Sequence, residues 1–344
     1  MKKNHIRRLL VSAICISISA SALSGCGSLD QDGSAKKRIV RIALSQAESH
    51  PEYEGAVKFK EYVESELGDK YEVQIFPNEL LGSQTKAIEL TQTGAIDFTI
   101  AGTPNLEIFA DVYEVFSMPY LFTSEEAYFA VMDDDYMKTV YESTKDTGLQ
   151  VVTWYNVGTR NFYAKEAIET PDDLKGLKIR VQQSPASVKM AQAFGAAASP
   201  MSFGEVYTAI QQGVIDGAEN NQLALTDNKH DEVAKYFTYS KHQMIPDVLI
   251  GNYKFLDELS DEERAVFEEA ARISTETEVN AWNQKESEAI ATAEEMGVTF
   301  IEPDIQLFKE KVANVQQEML DKNENITELY DFIQLYNAKY EVSE

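Results

Sequence analysis

From Ser260 to Met296 the chain carries good helix formers with few breaks, and Gly297 follows as a stop. The run opens on Ser260-Asp261-Glu262-Glu263, a capping box in which the serine and the glutamate three residues on satisfy each other's backbone amides. At 1.5 Å per residue a helix of this length reaches about 50 Å, well beyond the ~30 Å of a small lobe. A helix that long has to cross two bodies, so it is predicted as a connector. The 344 residues, 44% hydrophobic and 26% charged, suffice for two lobes with cores of their own.

The chain before that helix alternates between two periods. Arg38 to Ser45 reads as a strand, and Pro51 suits the first position of a helix running to about Leu67. Tyr71 to Phe76 is a second strand, Ser83 to Thr93 a helix, and Ala95 to Ile100 a third strand after Gly94. This order predicts an α/β fold with a mostly parallel open sheet and ligands at its carboxyl edge. Glu125 to Met132 and Tyr136 to Thr147 read as helices, and Leu149 to Tyr155 as a buried strand. A second lobe of the same kind begins near Gly158, with a strand at Asn161 to Ala164 and a turn at Pro171 to Gly176. Helices at Pro185 to Phe194 and Phe203 to Gln212 and a short strand at Ile215 to Asn220 follow. The tail from Pro303 is expected to add helices on the second lobe. Residues 38–157 with 246–285 would form one lobe, and 158–245 with 286–344 the other.

The first residues stand apart from this pattern. Lys2, Lys3, Arg7 and Arg8 precede an apolar stretch from Leu9 to Ala22, and Leu23-Ser24-Gly25-Cys26 ends it. The segment resembles a bacterial lipoprotein signal. That resemblance implies removal of residues 1–25 and diacylation of Cys26, two acyl chains being what stable anchoring requires. Residues 26–37 then form a flexible tether. Cys15, the only other cysteine, would leave with the signal, so the mature chain would carry no disulfide, thiol nucleophile or cysteine metal site. Its charge would be 27 basic minus 57 acidic residues, or −30. A surface of that sign repels nucleic acid and anionic lipid, so each arginine in an apolar, structured context is informative.

One such arginine stands out. In Lys175-Gly176-Leu177-Lys178-Ile179-Arg180-Val181-Gln182, the residues Leu177, Ile179 and Val181 alternate as a strand requires, which puts Arg180 on the opposite face. A strand-borne cation in an acidic protein is costly unless an anion meets it. Catalytic signatures are missing from the sequence: no H-E-x-x-H, G-x-S-x-G, P-loop or G-x-G-x-x-G after a strand. His50, His230 and His242 have no metal-pair spacing and are expected to be structural. No residue set asks for an enzyme, a metal or a cofactor.

A set of motifs in fixed order carries a resemblance. It comprises Leu81-Gly82-Ser83, Gly94-Ala95-Ile96-Asp97-Phe98, Met118-Pro119-Tyr120-Leu121-Phe122, Gly158-Thr159-Arg160, the strand of Arg180, Gly195 to Pro200, and Phe203-Gly204-Glu205-Val206-Tyr207 through Gly217-Ala218-Glu219-Asn220-Asn221. In these motifs the chain resembles the DctP-like solute-binding subunits of tripartite ATP-independent periplasmic (TRAP) transporters. The resemblance implies a two-lobe, periplasmic-binding-protein-like fold with a ligand cleft, hinged near Tyr155 to Gly158 and near Gln243 to Val248. It implies that Arg180 forms a two-pronged salt bridge with an organic acid, a geometry lysine cannot copy. Arg160 and Asn220 would also approach the acid, Asn221 would extend the asparagine contact, and Phe203 would lie on the ligand's apolar face.

The opposite lobe would choose the acid. Glu48, Ser49 and His50 follow the first strand, Gln84 opens the second helix, and Gly102, Thr103 and Asn105 follow the third strand, all at carboxyl edges. Sialic-acid-binding relatives carry a glutamate where this chain has Gly102, which disfavours that ligand. The run from Ala218 to Asn221 and that from His242 to Val248 look closer to sugar-acid binders, so a hexuronate or aldonate is expected, with a C4 dicarboxylate, keto acid or aromatic acid as alternatives. The implied partners are a small and a large membrane subunit driven by an ion gradient, and the implied state is a lipid-anchored monomer outside the cytoplasmic membrane. The binding protein of an ATP-driven importer, or one associated with a sensor, would share the fold.

Overall fold

The computed structural model describes residues 36–340. Cys26 and nearly all of its predicted tether lie outside the described residues. Among the described residues there are eleven strands: β1 Arg38–Ala43, β2 Tyr71–Phe76, β3 Phe98–Gly102, β4 Leu149–Tyr155, β5 Thr159–Ala164, β6 Lys178–Val181, β7 Ala197–Pro200, β8 Gly217–Asn220, β9 Tyr236–Met244, β10 Asp247–Asn252 and β11 Thr299–Ile301. They form two sheets, ordered β2-β1-β3-β10-β4 and β11-β9-β5-β8-β6-β7. The α/β class and the two-lobe arrangement are therefore as expected.

The sheets are more mixed than the strand-helix alternation implied. In the first, β1 runs parallel to β2 and β3, but β10 inserts antiparallel between β3 and β4. In the second, β5 runs antiparallel to both β8 and β9. The reason is that the chain changes sheet between β4 and β5 and returns between β9 and β10, so each crossing strand enters its new sheet against the local direction.

The helix Asp261–Glu295 runs to 35 residues with its capping box formed at Ser260 and Glu263. Its N-terminal half packs on the helix Pro51–Leu67, which turns Gly55, Ala56, Phe59 and Val63 inward at helical spacing. The two approach closely because Gly55 has no side chain; a Cβ there would stand 2.8 Å from the Ser274 carbonyl oxygen. Further along, the long helix packs on Gln222–Asp227 beside the second sheet. Among the described residues no helix is long and apolar enough to cross a membrane.

Several boundaries differ from those read in the sequence. The third strand starts at Phe98, not Ala95, because Asp97 accepts the Arg41 backbone N–H at 2.8 Å and pairs with Arg38, which fixes a turn there. The helix expected from Tyr136 to Thr147 ends at Glu142, and a short 3-10 turn follows up to Gly148, whose φ of +82° reverses the chain. The helices after Pro303 do not all stay with the second lobe. Ile305–Lys311 and Val315–Leu320 pack on Pro185–Phe194, whereas Thr327–Lys339 packs on Glu125–Met132 beside the first sheet. Asn337 fixes that last helix, donating to Leu121 O at 2.8 Å and accepting from Thr123 N at 3.1 Å.

Candidate functional site

Where the two sheets face each other they enclose a cavity of about 460 Å³, mouth included, a size suited to a small metabolite. The second sheet and its loops contribute Arg160, Arg180, Gln182, Met201, Phe203, Asn220 and Asn221, and the first contributes Gln46, Glu79, Gln84, Asn105 and Asp247. Val157, in the β4–β5 crossing, sits between them. The lining is mostly polar, which favours a hydroxylated, charged solute over an apolar one.

Arg180 comes from β6, whose Ile179 and Val181 face the core and leave the guanidinium toward the cavity. The residue is only 4% exposed. Its Nε and Nη2 both donate to the Met201 carbonyl, at 3.2 and 3.0 Å. Of the five guanidinium N–H groups, those two bonds leave three without a protein partner among the described residues. No carboxylate of the described residues forms an ion pair with it. Burial, with the Arg160 charge beside it, lowers its pKa against the opposing pull of Glu219. The result is a desolvated cation, gripped from behind by a carbonyl and lining the cavity with its remaining N–H groups.

Arg160, on β5, is treated differently. Its Nε and Nη2 pair with the two oxygens of Glu219 at 2.6 and 2.9 Å, Nη2 also reaches Glu219 O, and Nη1 donates to Asn220 Oδ1 at 3.0 Å. Four of its five N–H groups are thus used inside the protein. Burial alone would raise the Glu219 carboxyl, but Arg160 and the neighbouring His242 hold it down to about 2. Arg160 thus lines the cavity as half of a buried ion pair, with one N–H not engaged by the described residues.

That pair also fixes Asn220. Its Oδ1 accepts from Arg160 and from the Asn221 backbone N–H at 2.9 Å, so the amide NH₂ is what remains for the cavity. Asn220 is therefore oriented as a donor. Asn221 lines the cavity too, but its side chain caps the helix Gln222–Asp227 through Ala224 N at 2.7 Å and donates to Val157 O. Phe203 lies beneath Arg180, whose Cζ is 5.6 Å from the ring centroid, and meets His230 edge-on.

On the facing wall the structure separates the remaining expected residues. Gln84 is in place: it donates to Ser45 Oγ at 2.8 Å and accepts from Gly102 N and Asn105 Nδ2. His50 is buried but away from the cavity lining, because it caps the helix Pro51–Leu67 through Glu52 N and sits edge-on to Trp282. Burial lowers its pKa to about 3, so it is neutral. Glu48 is exposed and also absent from the lining; the loop carries its side chain outward while Gln46 faces in.

Sequence reasoning missed Asp247, Glu79 and Gln182. Asp247 is a buried acid opening the otherwise apolar β10, and the logic applied to Arg180 would have found it. Glu79, on the loop after β2, crosses to the other lobe and accepts the Gly204 N–H at 3.2 Å. Gln182 reaches across as well: a Cβ added at Gly102 would stand 2.8 Å from its Nε2 and 3.0 Å from Asp247 Oδ1. No room exists there for a larger residue. Among the described residues no group of three or more His, Cys, Asp or Glu could hold a metal ion.

The family model for bacterial extracellular solute-binding protein, family 7 (DctP), matches residues 42–323. A TRAP periplasmic solute binding protein from Anaerococcus prevotii with bound α/β-D-glucuronate is 49% identical, with a TM-score of 0.87 over 88% of this chain and 99% of that one. One from Xanthobacter autotrophicus with bound β-D-galacturonate is 32% identical, with a TM-score of 0.82 over 87% and 99%. The C4-dicarboxylate-binding periplasmic protein DctP of Rhodobacter capsulatus is 29% identical over 286 residues, 82% of this chain and 84% of its own length.

Proposed function

The chain belongs to family 7 of the bacterial extracellular solute-binding proteins, and from that premise we propose that it captures a hexuronate and delivers it to a TRAP permease. The observation that carries the reading is Arg180, a buried guanidinium with no carboxylate partner among the described residues. A ligand carboxylate supplies the missing anion through two parallel charge-assisted hydrogen bonds. Asn220 donates to the same end of the ligand, Phe203 takes a face of the sugar ring, Asp247 accepts from its hydroxyls and Gln84 donates its second N–H to them. The relatives with bound glucuronate and galacturonate support that assignment.

The mechanism is capture without chemistry. The lobes part at the β4–β5 and β9–β10 crossings, admit the acid and close over it. Closure buries the carboxylate against Arg180 and brings Glu79 onto Gly204, so the ligand favours the closed form by its extra contacts there. The protein is not an enzyme in this reading. Diacylated Cys26 holds it at the outer face of the cytoplasmic membrane as a monomer, where the closed form docks on the small and large membrane subunits.

A thermal-shift screen tests this on the chain from Gly27 onward, which keeps every described residue. The panel holds glucuronate, galacturonate, gluconate, succinate, pyruvate and sialic acid. A ligand at a hundred times its dissociation constant adds about 2.7 kcal/mol, a rise of several degrees in Tm. The expected result is a shift with a hexuronate. Silence toward every sugar acid would overturn the proposal, whatever the other acids do.

A further inference from the structure

The cavity has two walls of opposite chemistry. Arg180, on the second sheet, is a cation without a protein anion. Facing it from the first sheet, Asp247 lines the cavity, is 6% exposed at the start of β10 and forms no ion pair among the described residues. Glu52, in the first turn of the helix Pro51–Leu67, is buried too, and burial together with the Asp247 charge raises its carboxyl well above the ordinary value. Glu278, from the long helix, adds a third buried carboxyl nearby, its Oε2 taken by the Asn156 N–H at 2.9 Å. Arg160 is the cation whose charge reaches Asp247, and it is already committed to Glu219.

Unused acceptors lie around Asp247. The Oε1 atoms of Gln46 and Gln182, from the two walls of the cavity, and of Glu52, outside the lining, are buried without a hydrogen-bond partner among the described residues. Asp247 Oδ1 lies 3.0 Å from the point where a Gly102 Cβ would stand, so glycine there lets that carboxylate come close. A buried acceptor left alone is costly, and a ligand hydroxyl relieves it.

Resting on the sugar-acid reading above and narrowing it, we infer that Asp247, an unpaired carboxyl in the cavity wall, restricts the ligand to acids with one carboxylate and a hydroxylated far end, and refuses acids with a carboxylate at both ends. Hydroxyl groups donate to Asp247 and its neighbours. A second carboxylate would face the Asp247 carboxyl, and Arg160, the cation beside it, is committed to Glu219. Burial pushes both Glu52 and Asp247 up, Asp247 to about 6, which marks a wall that resists even its own second charge.

Calorimetry at pH 7.5 with D-glucuronate, D-gluconate and D-glucarate tests this. Gluconate and glucarate share an open six-carbon chain and differ in the second carboxylate, so comparing them separates charge from ring shape. The tighter of the two monoacids is expected to exceed glucarate by at least about 100-fold in affinity. In Asp247→Asn that ratio falls about tenfold or more, while in Glu52→Gln, which leaves the Asp247 carboxylate in place, it stays or grows. A wild-type ratio near one overturns the inference and leaves the sugar-acid reading intact, and so does an unchanged ratio in folded Asp247→Asn. If that variant does not fold, a ratio that collapses in Glu52→Gln overturns it. Failure of both monoacids to bind would overturn the two together.

Discussion

Arg160 and Arg180 are both buried arginines a few ångströms from the same cavity, and their replacement by methionine should have opposite consequences. In the unliganded protein Arg180→Met removes a desolvated charge that lacks a carboxylate partner and whose only protein bonds run to Met201 O. The stranded carbonyl costs about 1 kcal/mol, and relief of the buried charge offsets it, so Tm should stay within about 3 °C of wild type or rise. Binding behaves otherwise. Removing one member of a buried ion pair costs about 3–5 kcal/mol, which here falls on the complex as a loss of about two to four decades in affinity. Arg160→Met instead strands Glu219, a fully buried anion. The same 3–5 kcal/mol then falls on the fold, a drop on the order of 10 °C in Tm without any ligand.

Differential scanning calorimetry of both variants with and without glucuronate, followed by titration calorimetry, separates the two. If Arg180→Met melts as early as Arg160→Met, or keeps its affinity within tenfold of wild type, the reasoning fails, since Arg180 would then have a counter-charge inside the protein.

Gly204→Ala places a Cβ 2.7 Å from Glu79 Oε2 and should weaken ligand affinity about tenfold by holding the lobes apart, with the unliganded Tm unchanged; a titration against wild type checks it. Asn221→Ala loses the cap of Gln222–Asp227 and should cost about 1 kcal/mol of stability, read as a small fall in Tm. Stability should also depend on pH through two opposed groups. Asp247 is raised by burial from 3.8 to about 6, so the native state holds more protons than the unfolded chain in that window, and stability falls as pH rises through it. Glu219 is lowered from 4.5 to about 2, so its contribution is present above 4.5 and is lost as pH falls toward 2. Melting curves of wild type and Asp247→Asn between pH 4 and 7 should diverge, the variant losing less on the alkaline side; parallel curves would reject the assignment.

The long helix and the strand of Arg180 were legible because their signals are local: a capping box and good helix formers for one, strict alternation for the other. The commitment of Arg160 to Glu219 was not, because it depends on β5 pairing with β8 across 59 residues of sequence. Glu52 hid for a different reason, since an acid in a first helical turn is the ordinary complement to the helix dipole and nothing local says that the Asp247 charge reaches it. Glu48 and His50 were placed at the correct sheet edge, yet an edge does not say which way a loop turns its side chains. The antiparallel insertion of β10 follows from where the chain changes sheets, a decision taken far from the strand itself.

The proposed anchor for the carboxylate and the wall proposed to meet the rest of the molecule are borne by different sheets, joined by two strand crossings and a helix. Heritable change can therefore act on them separately. A substitution in the loops of the first sheet alters which acid is preferred while Arg180 and its Met201 grip go on holding a carboxylate, so one inherited scaffold can drift from one nutrient to another without passing through a form that holds nothing.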